Sequence, residues 1–366
     1  MRLVVVGRLA WSVALASALL AGCARFDDSA SSPFTPEPTF SPADPKPPKQ
    51  SPPSTTRPSG PCIDPDPAVV ATCLDTTAGM VGVAEGALVA ERRTGRILKV
   101  IDPDQPPIEI ARLDVDGSAD GGLSDIALSP TYREDGLLYA YITTASDNRV
   151  VRIAEGGSPK DILTGIPKGA SGNHGAIEWA SPDQLLVLTG DAGNPGLAST
   201  PSSLAGKLLR VNSPAPGNAA PSVAVSGIGI AGDLCRDGKD SVWFTDRTPV
   251  EDRLQRLGPD GSVSIAWTWP DRPGVAGCAA AADGVAVSLT NAKALAIAAA
   301  DENTRAVTTA PSLLAQDRYG QLGGATIGPD GNVWVGTVNK TDGQPGPNDD
   351  RVVRIPPQSG GGTGPD

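Results

Sequence analysis

One histidine in this sequence is the only side chain expected to titrate near neutral pH without a special environment. His174 lies in a Gly-Asn-His-Gly-Ala-Ile segment. A Thr-Gly-Asp triplet ending at Asp191 follows it, and then a Ser-Leu-Ala-Gly-Lys-Leu-Leu-Arg-Val-Asn stretch over 203–212. A positioned imidazole can accept a proton from a reacting hydroxyl group. If this chain performs general base chemistry with a histidine, His174 is therefore the single candidate.

The elements that must position this histidine occur in six copies of one unit. Each copy has an apolar strand, a gap, and a second strand that in most copies begins with a basic-x-x-basic-apolar pattern. Turn signals such as Asp-Gly and Pro-Asp precede several of the first strands. The paired segments are 87–90 with 95–100, 137–141 with 148–153, 184–188 with 206–211, 241–245 with 252–257, 284–288 with 293–297, and 332–336 with 350–355.

These repeats predict an all-β fold, a six-bladed β-propeller with four antiparallel strands in each blade. Equivalent positions recur at intervals of 43 to 57 residues, and no long helical periodicity interrupts them. Units of about this length are typical of propeller blades. Closing the ring buries the sheet faces against their neighbours and leaves few exposed strand edges. We expect the propeller to occupy residues 62–357.

The N-terminus predicts export and lipid attachment. Residues 1–22 read as a signal peptide, with Arg2 and Arg8 before a short apolar run. The run ends in Leu-Ala-Gly followed by Cys23, which resembles the bacterial lipobox, so we expect acyl chains such as palmitate on Cys23. Several acyl chains on one cysteine hold a protein firmly to a membrane. The predicted location is the extracytoplasmic side of the cell membrane.

A tether and a tail flank the predicted propeller. Residues 23–61 are rich in proline, serine and threonine and contain almost nothing that could form a core, so we expect a disordered spacer. Residues 358–366 are glycine-rich and predict a flexible tail. The chain carries 41 acidic and 30 basic residues, a formal charge of −11. Such a chain is a poor partner for nucleic acid or anionic lipid.

Four cysteines remain besides Cys23, an even number that fits an oxidising compartment. Four cysteines allow three pairings. We favour Cys62–Cys73, which would close a short loop at the start of the domain, and Cys235–Cys278, which would join neighbouring repeats. The sequence has no C-x-x-C motif and one histidine, so a Cys/His zinc site is not expected.

Three stretches of the chain resemble the glucose/sorbosone dehydrogenase family, soluble sugar dehydrogenases that use pyrroloquinoline quinone (PQQ) on a β-propeller. They are 121–139, which begins Gly-Gly-Leu-Ser-Asp; 174–212, which holds the histidine; and 328–351, which begins Gly-Pro-Asp-Gly-Asn-Val-Trp-Val. The resemblance covers most of 79–356. It implies a bacterial (actinobacterial-type) lipoprotein similar to PQQ-dependent aldose sugar dehydrogenases.

The resemblance also implies roles for individual residues. His174 would be the base that takes the proton of the sugar's anomeric hydroxyl while a hydride leaves for PQQ. Asp191 matches the acid that pairs with this histidine, and Asp120 occupies the place of a polar or acidic residue near the substrate. The family also binds Ca²⁺, which requires hard oxygen ligands.

Two segments depart from the family pattern where arginines usually face the cofactor. The opening of the fourth blade has Gly229 in place of arginine, and the opening of the last blade has Gln321 and Gly323. PQQ carries three carboxylates, and forked guanidinium groups are the natural way to hold them. These substitutions predict weakened PQQ binding. Arg318, a few residues upstream of Gly323, is the sequence's candidate to substitute.

Three functions therefore remain open from the sequence. The first is an enzyme that oxidises an aldose or related carbohydrate with PQQ, with His174 as general base. The second is a non-catalytic propeller that lost PQQ binding and recognises an envelope glycan or a protein partner. The third is a calcium-dependent, lactonase-like hydrolase, for which the sequence shows no specific arrangement. In each case we expect a monomer held at the membrane through Cys23.

Overall fold

The structure, a computed structural model, describes residues 60–217 and 220–356. The strands in chain order are β1 (Val69–Ala71), β2 (Thr77–Val83), β3 (Gly86–Glu91), β4 (Arg96–Val100), β5 (Ile108–Arg112), β6 (Leu123–Leu128), β7 (Leu138–Thr143), β8 (Asn148–Ile153), β9 (Lys160–Ile166), β10 (Gly175–Ser181), β11 (Gln184–Thr189), β12 (Lys207–Asn212), β13 (Pro221–Ser226), β14 (Ile230–Arg236), β15 (Val242–Arg247), β16 (Asp252–Leu257), β17 (Val263–Trp269), β18 (Val275–Ala281), β19 (Gly284–Leu289), β20 (Ala294–Ala299), β21 (Ser312–Leu314), β22 (Leu322–Ile327), β23 (Val333–Thr337) and β24 (Val352–Ile355). Three short helices are α1 (Tyr132–Asp135), α2 (Pro195–Ser199) and α3 (Asn339–Asp342).

The strands form six four-stranded antiparallel sheets arranged as the blades of a propeller. Blades 1 to 5 each use four consecutive strands, beginning with the inner strands β2, β6, β10, β14 and β18. Blade 6 runs β22, β23, β24 and β1 from the inside out. The predicted all-β, six-bladed fold is confirmed, and the two strands recognised in each repeat are the second and third strands of each blade.

The two ends of the described chain complete blade 6 together. Strand β1 pairs antiparallel with β24, with Val69 opposite Val353. The Cys62–Cys73 disulfide brackets β1, and Arg351 lies 3.3 Å from Asp64 as an ion pair. The last blade therefore cannot be completed without the N-terminal strand.

The second disulfide, Cys235–Cys278, links the inner strands β14 and β18 of blades 4 and 5. Both predicted pairings are confirmed. The predicted signal peptide, lipidated Cys23, most of the linker and the tail lie outside the described residues. Within the residues that are described, no helix is long and apolar enough to cross a membrane.

The inner strands of neighbouring blades approach each other closely because small residues line them. A Cβ atom added to Gly324 on β22 would lie 1.9 Å from the carbonyl oxygen of Ala78 on β2. One added to Gly277 on β18 would lie 2.4 Å from the carbonyl oxygen of Gly323. Farther out, large side chains fill the space between blades; the rings of Tyr139 and Trp179 meet edge to face at 5.1 Å. This packing leaves a narrow central channel.

Candidate active site

A cavity of about 220 Å³ opens where the inner strands begin, and residues from all six blades line it. The starts of the inner strands contribute small side chains, including Ala78, Gly232 and Gly277. The polar and charged side chains come from loops, from the ends of second strands and from the inner strands themselves, which carry Ser124, Asp125 and Asp233. The cavity therefore lies on the axis of the ring, at one end of the central channel.

His174 lies in this cavity, in the turn that leads into β10. Burial lowers the pKa of His174 to about 4, the nearby charge of Asp120 acts to raise it, and the charges of Arg247 and Arg92 lower it further. The imidazole is therefore neutral at neutral pH and can accept a proton. The predicted location of His174 on the channel is what the structure shows.

Asp120 also lines the cavity and holds the segment that carries the histidine. Its carboxylate accepts hydrogen bonds from the backbone N–H of Gly172 at 2.6 Å and from Nδ2 of Asn173 at 2.8 Å. The loop before blade 2 is thereby tied to the loop before blade 3. The structure places Asp120 and His174 at the same cavity, and the role of Asp120 near a substrate stays a prediction.

Asp191 is buried beside the same loop, but its carboxylate has a different partner. Its Oδ1 accepts a hydrogen bond from the backbone N–H of Gly193 at 2.9 Å. No hydrogen bond joins Asp191 to His174 among the described residues, and the two segments meet through backbone groups instead: Gly190 N–H donates to the carbonyl of His174 at 2.9 Å. The carboxylate whose charge acts on His174 is that of Asp120. The pairing of Asp191 with His174 stays a prediction.

Two arginines that the sequence analysis did not single out line the cavity, Arg92 and Arg247. Arg92 follows β3 and is buried, and its Nη1 donates to the carbonyl oxygens of Gly121 at 2.6 Å and of Ala119 at 3.0 Å. Arg247 is the last residue of β15. Both lie at the end of the second strand of a blade, a position that no motif in the sequence marks.

The positions where the family's arginines are replaced also lie near this cavity. Gln321 and Gly323 line it. A Cβ atom at Gly229 would lie 2.1 Å from the carbonyl oxygen of Arg247, so no side chain fits there without moving the backbone. The proposed substitute, Arg318, is not among the lining residues: it is 60% exposed and donates to Asp66 at 2.8 Å. This placement gives no support to a cofactor-binding role for Arg318.

Two buried carboxyl groups lie deeper in the channel. Asp125 accepts a hydrogen bond from the backbone N–H of Ile177 at 2.7 Å, and Asp233 accepts one from Cys278 at 2.9 Å, so each links two blades. Burial raises the pKa of Asp233 to about 7. Burial and the neighbouring Asp233 raise the pKa of Asp125 well above its usual range. These acids carry less negative charge near neutral pH than exposed aspartates would.

A second cavity, of about 570 Å³, occupies the other end of the channel. Among the described residues, Asp125 and Asp233 are the ones that line both cavities, so they form the partition between them. Glu178 lines the second cavity, and burial raises its pKa to about 7. Asp125 and Asp233 therefore belong to both cavities, whereas Glu178 belongs to the second.

Ser124 Oγ and Gln321 Oε1 are buried polar atoms at the cavity that have no hydrogen-bond partner among the described residues. Buried polar atoms are nearly always hydrogen-bonded in folded proteins, so both atoms are suited to bind a ligand. No group of three or more His, Cys, Asp or Glu side chains suited to a metal ion occurs in the described part of the chain. The Ca²⁺ ligands implied by the resemblance are therefore not located.

Comparison with known proteins finds one family that resembles part of this chain. Residues 74–226 match the family model described as glucose/sorbosone dehydrogenase. None of the curated protein sequences compared matches the chain significantly.

Several solved structures share the fold. The PQQ-bound aldose sugar dehydrogenase of Streptomyces coelicolor is 28% identical, with a TM-score of 0.69 over 78% of this chain and 95% of that one. A Thermus thermophilus protein described as a putative oxidoreductase (glucose dehydrogenase) is 26% identical, with a TM-score of 0.68 over 78% and 98%. The resemblance to the glucose/sorbosone dehydrogenases is confirmed.

Proposed function

We propose that this glucose/sorbosone dehydrogenase-like propeller oxidises an aldose or related carbohydrate with PQQ, with His174 as the general base. The observation that carries the proposal is the neutral, partly buried imidazole on the ring axis, next to Asp120 and two arginines. A lipid on Cys23 would hold the enzyme on the extracytoplasmic side of the cell membrane, where it would meet free sugars or envelope glycans.

The cavity offers the groups that PQQ requires. PQQ would supply the electrophile that accepts a hydride from the sugar carbon. Its three carboxylates match guanidinium groups, which Arg92 and Arg247 place at the cavity. Ser124 Oγ and Gln321 Oε1 add hydrogen-bonding groups that lack protein partners in the described structure. The guanidinium groups and the Ser124 hydroxyl group are donors suited to a planar polycarboxylate, and Gln321 Oε1 can accept a hydrogen bond from another part of the ligand.

His174 would take the proton of the anomeric hydroxyl. Its imidazole is neutral and is therefore ready to accept this proton. Asp120 stabilises the resulting imidazolium by its charge and holds the turn that carries it through the Gly172 N–H. Asp191, which lies behind the same turn, supports its position through the neighbouring backbone.

Removal of the base tests the proposal. We expect His174→Gln in the PQQ-loaded protein to lower kcat for dye-linked sugar oxidation by about 10²- to 10⁴-fold, because general base catalysis typically contributes that much. Steady-state assays with a panel of aldoses provide the measurement, and equal melting temperatures provide the folding control. Unchanged turnover would remove His174 from the mechanism.

A second function is favoured by one observation, the replacement of the family's arginines at Gly229, Gln321 and Gly323. In that case the propeller would bind an envelope glycan or a protein partner without PQQ. Saturable binding of PQQ by the wild-type chain separates the two functions. No binding at about 100 μM, weaker than about −5.5 kcal/mol, would favour the non-catalytic propeller.

A further inference from the structure

We infer that Asn173 is the positioning residue of the candidate base: its amide closes the turn that carries His174 and ties that turn to Asp120. Asn173 directly precedes His174, is buried, and is not among the residues that line the cavity. It therefore acts through its neighbours rather than on a ligand. The inference rests on the proposed function for the role of His174 as a base, whereas the placement of the turn is argued from its own contacts.

The amide of Asn173 uses all of its hydrogen-bonding capacity. Its Nδ2 donates to Asp120 Oδ1 at 2.8 Å and to the carbonyl oxygen of Gly169 at 2.9 Å. Its Oδ1 accepts from the backbone N–H of Gly169 at 3.0 Å and from Nδ2 of Asn148 at 3.3 Å. A side-chain amide has two donors and two acceptor lone pairs, so none is left over. The opposite orientation would place the amide oxygen against a carboxylate and a carbonyl, so these contacts also fix which way the amide points.

Asn148 connects this amide to the body of blade 2. It is the first residue of β8 and is 1% exposed. Its Nδ2 also donates to the carbonyl oxygen of Pro167 at 2.8 Å, and its Oδ1 accepts from Oγ1 of Thr143, the last residue of β7, at 2.7 Å. Buried polar networks whose members are satisfied make a structure rigid. The turn before blade 3 is therefore fixed to the β7–β8 hairpin of blade 2.

Backbone hydrogen bonds hold the other side of the turn. The N–H group of Ala192 donates to the carbonyl oxygen of Gly172 at 3.0 Å, and that of Gly190 donates to the carbonyl oxygen of His174 at 2.9 Å. The loop after β11 thus holds the residues on both sides of Asn173, while the Asn173 side chain is bound to blade 2. His174 is therefore held between two blades.

Asp120 couples this turn to the basicity of the imidazole. Its carboxylate accepts the hydrogen bond from Nδ2 of Asn173, and its charge acts to raise the pKa of His174 against the effects of burial, Arg247 and Arg92. A change at residue 173 that loosens the turn, or that adds charge next to Asp120, should therefore appear in the titration of His174. A residue that only stabilised the fold would lower the melting temperature without moving that pKa.

Titration of His174 by proton NMR in the untagged protein without cofactor tests the inference. We expect Asn173→Asp to raise the pKa of His174, because it adds a second carboxylate next to Asp120. We expect Asn173→Ala to raise this pKa as well, because a looser turn admits water and weakens the effect of burial.

Asn332→Asp is the matched control. Nδ2 of Asn332 also donates to an aspartate, Asp330, at 2.8 Å, but on an exposed turn whose residues do not line the cavity. This variant loses the same kind of amide–carboxylate contact. It should leave the pKa of His174 at its wild-type value.

Steady-state kinetics of the PQQ-loaded protein provide the second measurement. We expect both variants at residue 173 to lower kcat by up to about 100-fold, because a small displacement of a catalytic group can cost about that much. KM should stay near its wild-type value, because Asn173 does not line the cavity. Asn332→Asp should change neither constant.

Asn173→Ser, which keeps a hydroxyl donor for Asp120, takes the place of the alanine variant if that variant does not fold, and it should raise the pKa of His174 by a smaller amount. An unchanged His174 pKa in the folded variants at residue 173, or an equal change in Asn332→Asp, would overturn the positioning role. Unchanged turnover in His174→Gln would overturn the proposed function instead, and the NMR titration would still decide whether Asn173 holds the turn.

Discussion

The basicity of His174 depends on neighbouring charges that have opposite effects on its pKa. Burial and two guanidinium groups lower its pKa to about 4, and the carboxylate of Asp120 acts in the opposite direction. An anion bound in the cavity would add negative charge near His174. Binding and protonation are reciprocally linked, so such an anion would raise the pKa of His174. The histidine would then be a stronger base in the loaded site than in the empty one.

Because His174 is the chain's one histidine, its titration can be observed without ambiguity. We expect Arg247→Gln to raise the pKa of His174, since removal of a nearby positive charge favours the imidazolium ion. The acidic limb of the kcat/KM profile should move to higher pH in the same variant. Proton NMR of the imidazole ring of an untagged protein provides the measurement.

Arg318→Gln serves as the control for this titration, because Arg318 pairs with Asp66 outside the cavity. An identical His174 pKa in the wild type and in both variants would contradict the electrostatic coupling. A wild-type pKa near the unperturbed value of about 6.5 would contradict the effect of burial as well.

Among individual residues, the sequence was sufficient to single out His174 and Asp120 as candidate site residues, but it did not single out the two arginines that line the cavity. His174 stood out because it is the one histidine of the chain, and Asp120 stood out by its place in the family pattern. Arg92 is one residue beyond the end of β3, and Arg247 is the last residue of β15. Each reaches the channel because the second strand of its blade ends beside the inner strand. Cross-strand proximity of this kind is a property of register, which a linear motif does not record.

Among the elements, the second and third strands of each blade were predictable and the inner strands were less so. The second strands are apolar and regular, as in β11 (Gln184–Thr189), which is buried along most of its length. The inner strands carry small residues and register shifts; β14 loses regular pairing with β15 between Ala231 and Leu234. Such irregularity removes the alternation of apolar and polar residues by which a strand is recognised.

Gly324 on the inner strand β22 shows how small residues set the spacing between blades. We expect Gly324→Ala to lower the free energy of unfolding by about 1–3 kcal/mol, because the added Cβ atom would lie 1.9 Å from the carbonyl oxygen of Ala78 and would force blades 6 and 1 apart. Denaturant unfolding measures the change. Gly346→Ala is the control, since its nearest neighbour would lie at 3.6 Å, an ordinary contact. Equal destabilisation by both changes would show that the blade contact is not the cause.

At the scale of the propeller, closure of the ring depends on a strand that the repeat pattern did not reveal. Strand β1 (Val69–Ala71) has three residues and no repeat signature, yet it is the outer strand of blade 6. The predicted Cys62–Cys73 pair was the available indication, since it closes a loop around this strand. The number of blades could be counted from the repeats, whereas the way the ring closes required the pairing of β1 with β24.

The Cys62–Cys73 disulfide should therefore act mainly on closure. In a Cys62→Ser/Cys73→Ser variant we expect about 3 kcal/mol less stability, the amount typical of a short closed loop, with the loss concentrated at β1. Hydrogen exchange of Val69–Ala71 and of their partners on β24 should accelerate well before the other blades open. The Cys235→Ser/Cys278→Ser variant is the matched control, because that bridge joins blades 4 and 5 and should leave exchange at β1 near its wild-type rate. Uniform acceleration across all six blades in the first variant would mean that the bridge stabilises the whole ring rather than its closing strand.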